Sequence, residues 1–178
     1  MHHRVFTIAA ALLFATLVQT SATAQLSRLF GSRPAVAEIS AAELRALQTT
    51  QAKAGTEAGQ AAANDQPPTP DFIVVDVRTP AEVAVSVLPG AITAKAFEQN
   101  RQLYRGRLVI PYCTSGYRSG KYAEKLAADG VDVKNFKGSI LGWCAAKLPL
   151  ETLDRKPTNR VHTYSSRNKV PSEYKAVW

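Results

Sequence analysis

The chain has 178 residues, a formal net charge of +8 and two cysteines. This length suits one domain with extensions, and it can bury an ordinary core without a disulfide scaffold. Lys and Arg are spread along the chain, with no compact basic run interleaved with aromatics, so the charge does not indicate a nucleic-acid-binding protein. We interpret the basic balance as a solvated surface that attracts small anions.

Residues 1–24 have the pattern of a secretory signal peptide. A basic Arg4 precedes an apolar stretch from Val5 to Val18, and Ala22-Thr23-Ala24 supplies small residues for cleavage after Ala24. The apolar stretch is shorter than the roughly 20 residues of a membrane span, which disfavours a retained anchor. The sequence therefore predicts an exported protein, periplasmic or secreted, with no stable membrane insertion after cleavage.

The first part of the mature chain mixes irregular and helical patterns. Residues 25–37 lack periodicity, and we predict a flexible lead-in. Ser40 and Glu43 form a capping box that predicts the start of a helix. Residues 49–70 hold no large apolar side chain, which predicts a mobile loop inside one domain spanning 38–150. A partner-binding role for this loop is the alternative to a plain insertion.

Two short apolar runs predict buried parallel strands. Phe72–Val77 is rich in β-branched residues and precedes Thr79-Pro80-Ala81-Glu82, a second capping box. Leu108–Tyr112 leads through Cys113 into a polar loop and then a helix. Capped helices that alternate with such strands predict an α/β fold with a mainly parallel sheet, whose functional site lies at the carboxyl ends of the strands.

Three further elements follow from local patterns in the domain. We predict a surface helix over 97–104 and a helix over 119–129 that ends at Gly130, a residue suited to the left-handed helix cap. The segment Val131-Asp132-Val133 predicts the start of another parallel strand.

Residues 151–178 form a C-terminal extension that we expect to pack on the domain. Arg160–Tyr164 predicts an added edge strand. Tyr174 and Trp178 are expected to dock on the domain, with the entrance of the site as the alternative position. His162 has no visible partner in the sequence, so we interpret it as structural.

Cys113 is the predicted nucleophile. It stands at the turn before a helix, where loop N–H groups converge and the helix dipole favours negative charge. A thiol held there ionises more easily, and Arg118 adds a nearby cation. The same loop would hold an anionic substrate. The predicted substrate-binding residues are Thr114, Ser115, Gly116, Tyr117, Arg118 and Ser119.

The loop Cys113–Ser119 resembles the active-site loop of single-domain rhodaneses, which are sulfurtransferases. Two further signatures of that family are matched in family order. The first is matched by Asp76-Val77-Arg78, Glu82 and Leu88–Ile92, and the last by Gly130, Val133, Asn135–Gly138 and Gly142-Trp143. The resemblance covers roughly 38–150 and implies a rhodanese-like α/β fold.

The chain departs from the family pattern at two places. Ser86-Val87 stands where the family usually has Gly-His, and Ser139 replaces the second glycine of a common Gly-Gly pair. Neither change alters the nucleophile loop, Cys113–Ser119, and we expect the replacement by Ser139 to matter little. The resemblance also implies that Asp76 and Arg78 tie a strand to neighbouring loops instead of acting in catalysis.

The resemblance implies a thiosulfate sulfurtransferase that needs no cofactor. Cys113 thiolate would attack the outer sulfur of thiosulfate or a related anionic donor, and sulfite would leave. A thiol or cyanide would then take the sulfur from the Cys113 persulfide, and a protein acceptor is a further candidate partner. Arg118, the second predicted catalytic residue, would bind the departing sulfite-like group.

Two other functions stay open on sequence grounds. One is a non-catalytic carrier that stores a persulfide on Cys113 for a partner protein. The other is a phosphatase or arsenate reductase, because related folds use a Cys-loop-Arg cradle for oxyanions. Phosphatases of that kind have five residues between Cys and Arg, whereas four separate Cys113 from Arg118, which favours sulfur chemistry.

The second cysteine, Cys144, follows Trp143 in a short apolar segment. We predict a buried structural thiol, with a resolving or regulatory thiol as the alternative. A disulfide to Cys113 would block the proposed nucleophile. Two distant cysteines and His162, the one histidine of the mature chain, do not form a ligand set, so no metal site is predicted.

Overall fold

The computed structural model describes residues 35–61 and 71–178, with side chains described at 35–53 and 71–178. The predicted signal peptide, residues 25–34 of the predicted lead-in and residues 62–70 of the predicted loop lie outside the described residues. Export therefore stays a prediction. In the part of the chain that is described, no helix has the length and apolar character needed to cross a membrane.

Short strands alternate with helices along the described residues. The strands are β1 (Ala37–Glu38), β2 (Phe72–Asp76), β3 (Ile92–Thr93), β4 (Leu108–Tyr112), β5 (Lys134–Asn135), β6 (Leu150–Glu151), β7 (Pro157–Thr158), β8 (Arg160–His162) and β9 (Lys175–Val177). The helices are α1 (Ala41–Ala61), α2 (Pro80–Val83), α3 (Ala94–Gln99), α4 (Tyr117–Ala128) and α5 (Ser139–Ala145), with a 3-10 helix at Arg101–Tyr104.

The central sheet is parallel throughout. β2 pairs in parallel with both β3 and β4. β4 continues to β5 through a parallel bridge between Val109 and Val133 and through a 3.0 Å hydrogen bond from Phe136 N to Pro111 O. β5 in turn pairs in parallel with β1. The resulting order β3-β2-β4-β5-β1 confirms the predicted α/β fold with a mainly parallel sheet.

The core lies on both faces of this sheet, as the apolar character of β2 requires. Successive residues of β2 point to opposite faces, so Val74 belongs to one apolar cluster and Val75 to the other. The first cluster includes Trp143 from α5, and the second includes Phe97 from α3 and Leu126 from α4. Helices therefore cover the sheet on each side.

Both predicted capping boxes are present, and the first one starts a longer helix than expected. Glu43 N donates to Ser40 Oγ at 3.2 Å, and Ser40 N donates to the Glu43 carboxylate at 2.8 Å. From there α1 runs to Ala61, so the prediction of a loop from residue 49 was wrong as far as Ala61. The physical reason is composition: Ala, Gln, Lys and Glu favour helix even where no large apolar side chain anchors it.

Two other predicted elements differ from the structure. The expected surface helix over 97–104 is two elements, α3 and the 3-10 helix, and Phe97 is buried and stacks on Tyr104 with 5.6 Å between ring centroids. The expected edge strand in the extension forms as β8, but it pairs in parallel with β9 in a separate two-stranded sheet. It does not join the central sheet, although Val161 is buried in the first apolar cluster.

A buried ion pair ties the end of β2 to its neighbours. Arg78 Nη2 lies 2.7 Å from Asp76 Oδ2, with both side chains fully buried, and also donates to Ser86 O at 2.6 Å. Tyr112 Oη, from β4, donates to the same Asp76 carboxylate and accepts from Leu88 N at 3.1 Å. These contacts confirm the structural interpretation of Asp76 and Arg78.

We expect Asp76→Ala to lower the free energy of unfolding by about 3–5 kcal/mol, because it leaves the Arg78 charge buried and unpaired. Asp129→Ala is the matched control, since it removes an Arg–Asp pair of 2.9 Å whose side chains are 33% and 42% exposed. That control should cost at most about 1 kcal/mol. Urea unfolding measures both values, and equal losses would contradict a special role for the buried pair.

Candidate active site

The site is built on the turn between β4 and α4. β4 ends at Tyr112, Cys113 follows, and Gly116 caps the N-terminus of α4. Gly116 N donates to Cys113 Sγ at 3.1 Å. Gly116 has φ +97°, and a Cβ there would lie 2.3 Å from Lys137 O, so only glycine fits. The loop backbone can therefore close around the sulfur.

The environment of Cys113 favours its thiolate. The residue is 1% exposed, and burial alone would raise the pKa of its thiol. Hydrogen bonds from the backbone N–H groups of Ser119, Gly116 and Ser115 oppose this effect. Together they lower the pKa of Cys113 below its ordinary value, which agrees in direction with the sequence-based expectation.

Ser139 braces the nucleophile from the opposite side. Its Oγ accepts from Cys113 N at 3.0 Å, donates to Phe136 O at 3.0 Å and lies 3.8 Å from Cys113 Sγ. Ser139 is fully buried and has φ +53°, a conformation that glycine adopts readily. We expected this replacement of glycine to matter little, but the hydroxyl satisfies the Cys113 amide. The sequence did hold a signal for this role, namely a serine at a position where the family usually has glycine.

The Arg118 guanidinium is bound to Glu82. Arg118 Nη1 and Nη2 each donate to a different Glu82 carboxylate oxygen at 2.7 Å. Burial of Glu82 opposes its charge, but hydrogen bonds from Arg118, Thr79 and Thr114 hold the pKa of that carboxyl well below its usual range. The two terminal nitrogens of Arg118 are thus engaged by a buried carboxylate. From the sequence, Glu82 was assigned only to a family signature and a capping box, so its contact with Arg118 was not predicted.

A cleft of about 220 Å³ opens at Cys113. The residues that line it are Cys113, Thr114, Ser115, Tyr117, Arg118, Tyr164 and Asn168. Five of these belong to the predicted loop. The other two predicted binding residues, Gly116 and Ser119, contribute through hydrogen bonds to the Cys113 sulfur.

Tyr164 and Asn168 were missed because they reach the cleft from the C-terminal extension. The aromatic residues that we considered for the entrance were Tyr174 and Trp178. Tyr174 Oη donates to Leu148 O at 2.6 Å, and Trp178 is largely exposed. The position of Tyr164 depends on the pairing of β8 with β9, which no local pattern in the sequence specifies.

Cys144 takes no direct part in this cleft. It is a free thiol, fully buried in the first apolar cluster, which confirms the prediction of a packed small residue. Burial raises the pKa of the Cys144 thiol to about 12. Cys113 is also free, so the two do not form a disulfide. Among the residues that the structure describes, no group of three His, Cys, Asp or Glu side chains could hold a metal ion.

The two thiols should differ sharply in reactivity. With iodoacetamide, we expect the alkylation rate of Cys113 to fall as the pH is lowered through a midpoint below the ~8.5 of a free cysteine. The reason is that its amide partners lower the pKa of its thiol. Cys144 should stay unmodified at neutral pH, because its thiol is protonated and buried. Peptide mapping by mass spectrometry separates the two sites, and equal modification would contradict this assignment.

Substitution of Ser139 should separate its hydrogen bond from its backbone conformation. Ser139→Ala leaves the buried Cys113 N–H without an acceptor, at a cost of about 1–3 kcal/mol in the free energy of unfolding. Ser139→Gly loses the same bond but relieves the left-handed conformation, so it should be the more stable variant by about 1 kcal/mol. Urea unfolding of both variants tests this order. A more stable alanine variant would contradict it.

Comparison with known proteins gives consistent likenesses in sequence. A family model described as a rhodanese-like domain matches residues 57–146, about half of the chain. A sulfurtransferase from Allochromatium vinosum is 34% identical over 86 residues, which cover 46% of this chain and 80% of that protein. A tRNA uridine(34) hydroxylase from Roseobacter denitrificans is 32% identical over 84 residues, which cover 42% of this chain and 28% of that protein.

Comparison with solved structures shows the same fold. A protein of unknown function from Rhodopseudomonas palustris, described as a possible tyrosine phosphatase, superposes with a TM-score of 0.50. The match covers 84% of this chain and 100% of that chain at 18% sequence identity. At this identity the likeness concerns the fold alone.

Proposed function

The chain belongs to the rhodanese-like domain family, and on this premise we propose that it moves a sulfane sulfur from thiosulfate or a related donor to a thiophilic acceptor. Likeness to a sulfurtransferase supports sulfur transfer in general. The choice of thiosulfate is part of the proposal. The observation that carries it is the buried Cys113 sulfur, which receives the Gly116 N–H at 3.1 Å beside the N-terminus of α4.

The first half of the reaction forms the persulfide. Cys113 thiolate attacks the outer sulfur of thiosulfate, a sulfur–sulfur bond forms, and the bond to the sulfonate sulfur breaks with its electron pair leaving as sulfite. One negative charge on the enzyme and two on the donor become one on the persulfide and two on sulfite. Loop amides that face the Cys113 sulfur stabilise the charge before and after this step.

The second half returns the thiolate. Cyanide or a thiolate acceptor attacks the outer sulfur of the persulfide, and Cys113 leaves as thiolate. The lowered pKa of the Cys113 thiol makes this departure easier, because a more stable thiolate is a better leaving group. The same set of amides thus serves both half-reactions.

We propose a narrower role for Arg118 than direct capture of sulfite. Its terminal nitrogens are bound to Glu82, whose carboxylate balances the guanidinium charge. Arg118 Nη2 also donates to Thr114 Oγ1 at 2.9 Å, which ties the start of the nucleophile loop to α2. We propose that Arg118 fixes the loop and adds a partly balanced positive field next to the cleft.

The place of action is a further part of the proposal. The sequence pattern of residues 1–24 supports export to the periplasm or secretion. Small sulfur donors and acceptors would then reach the enzyme outside the cytoplasm. The partners proposed are a small anionic sulfur donor and a thiol or cyanide acceptor, with a protein acceptor as a further candidate.

Steady-state release of thiocyanate from thiosulfate and cyanide tests this function. Each molecule of the mature protein should catalyse many turnovers. Cys113→Ser should reduce thiocyanate release to the rate without enzyme. Arg118→Ala should lower turnover by about 10-fold, since it removes a positioning group and leaves the amides in place. Cys144→Ala is the control for the second thiol and should retain activity.

The competing functions give different results in the same assays. A sulfur adduct on Cys113 in the mass spectrum without multiple turnover would identify a persulfide carrier instead of an enzyme. Hydrolysis of p-nitrophenyl phosphate by a protein that takes up no sulfur would identify a phosphatase. Either result would overturn the proposed sulfurtransferase activity.

A further inference from the structure

One wall of the cleft comes from outside the segment that matches the family model. That segment ends at residue 146, whereas Tyr164 and Asn168 belong to the C-terminal extension. The remaining lining residues come from the nucleophile loop itself. The extension therefore adds to this cleft a wall that the matched rhodanese-like segment does not supply.

The loop that carries these residues is held firmly. Thr163 is fully buried, and its N–H donates to Val177 O at 2.7 Å in β9. Asn168 Nδ2 donates to Thr163 O at 2.8 Å and closes the loop. Tyr164 N donates to His162 Nδ1 at 3.1 Å. Tyr164 is fixed in this way at φ +66°, a conformation that costs free energy for a residue with a side chain.

The ring held in this conformation is exposed at the cleft. Tyr164 is 69% exposed, and the Arg118 guanidinium lies 5.7 Å from its ring centroid. Tyr117, a second tyrosine lining the cleft, is 76% exposed. Apart from the Cys113 sulfur, Arg118 is the one charged residue among the seven that line the cleft, and Glu82 balances its charge. The walls of the cleft therefore offer aromatic surface and no unbalanced positive side chain.

Reaction geometry brings the acceptor to this surface. Cys113 is 1% exposed, and a persulfide would place its outer sulfur about 2 Å farther along the S–S bond. An acceptor attacks that outer sulfur in line with the S–S bond, so it approaches from the open side of the cleft. The atoms attached to the attacking sulfur then occupy the cleft, and Tyr164 forms part of its wall. Cyanide has no such organic portion and would leave the ring uncontacted.

We infer that Tyr164 is a specificity-determining residue whose exposed ring binds the organic portion of a thiol acceptor. The inference rests on the proposed function and names its acceptor class: organic thiols with an apolar or aromatic body, in preference to cyanide. Aromatic contact of this kind does not require a charged organic portion, which agrees with the balanced charge of the Arg118–Glu82 pair.

The test compares two acceptors with thiosulfate as the donor and sulfite release as the common readout. For phenylmethanethiol, Tyr164→Ala should lower kcat/KM by ~3- to 10-fold, and Tyr164→Phe should keep the wild-type value because it keeps the ring. For cyanide, both variants should stay within about twofold of wild type. Leu153→Ala, which shortens another exposed apolar side chain of the extension, is the control. It should leave kcat/KM unchanged for both acceptors.

A glycine variant separates the ring from the backbone conformation. Tyr164→Gly removes the ring and relieves the left-handed strain, so its melting temperature should exceed that of Tyr164→Ala. With phenylmethanethiol, Tyr164→Gly should lower kcat/KM by the same factor as Tyr164→Ala. If kcat/KM fell equally for cyanide and for phenylmethanethiol in either variant, Tyr164 would have a general structural role and the inference would be overturned.

A second readout does not depend on sulfur transfer. Cys113 is alkylated with N-benzyl iodoacetamide and with iodoacetamide, and the ratio of the two rates reports contact between an aromatic body and the cleft. Tyr164→Ala should lower this ratio by ~3-fold or more, and Tyr164→Phe should preserve it. Absence of turnover with both acceptors would reject the proposed function alone. An unchanged alkylation ratio would reject the binding role of Tyr164.

Discussion

The conformation of the nucleophile loop depends on a steric constraint at Gly116. Lys137 O, from the segment after β5, lies where a side chain at Gly116 would begin. This approach places the backbone of Gly116 so that its N–H meets the Cys113 sulfur and so that α4 starts at the next residue. Parallel pairing of β4 with β2 fixes the other end of the loop. The position of the Cys113 sulfur is thus set mainly by backbone geometry.

Two kinds of group set the electrostatic environment of the Cys113 sulfur. Uncharged N–H groups face Cys113, and Arg118, which is paired with Glu82, lines the same cleft. A buried carboxylate needs strong partners, and Glu82 receives hydrogen bonds from Arg118, Thr114 and Thr79. Because the charge of this pair is balanced, the positive potential at the sulfur arises mainly from the amides and the N-terminus of α4. These hydrogen-bond donors lower the pKa of the Cys113 thiol, and in the proposed reaction the same groups would bind the anionic sulfur donor.

Elements with strong local signals were predictable, and long-range contacts were not. Both capping boxes, the strands at Phe72 and Leu108 and the nucleophile loop follow from patterns within a few residues. The helical continuation to Ala61 was missed because an absence of apolar side chains was interpreted as a loop, although the composition favours helix. Tyr164 could not be found from the sequence, since its position depends on the pairing of β8 with β9.

Two residues at the site have a strained backbone conformation. Among the described residues, the non-glycine positions with positive φ are Ser139, Lys147, Arg155 and Tyr164. Lys147 and Arg155 are exposed, where the left-handed conformation ends a helix or turns the chain. Ser139 is buried against Cys113, and Tyr164 is held at the cleft wall by neighbouring hydrogen bonds. Glycine would relieve the strain at both site positions but would remove the hydroxyl or the ring. At Ser139 and Tyr164, the strained conformation therefore lowers stability but keeps a side chain that contacts the nucleophile or lines its cleft.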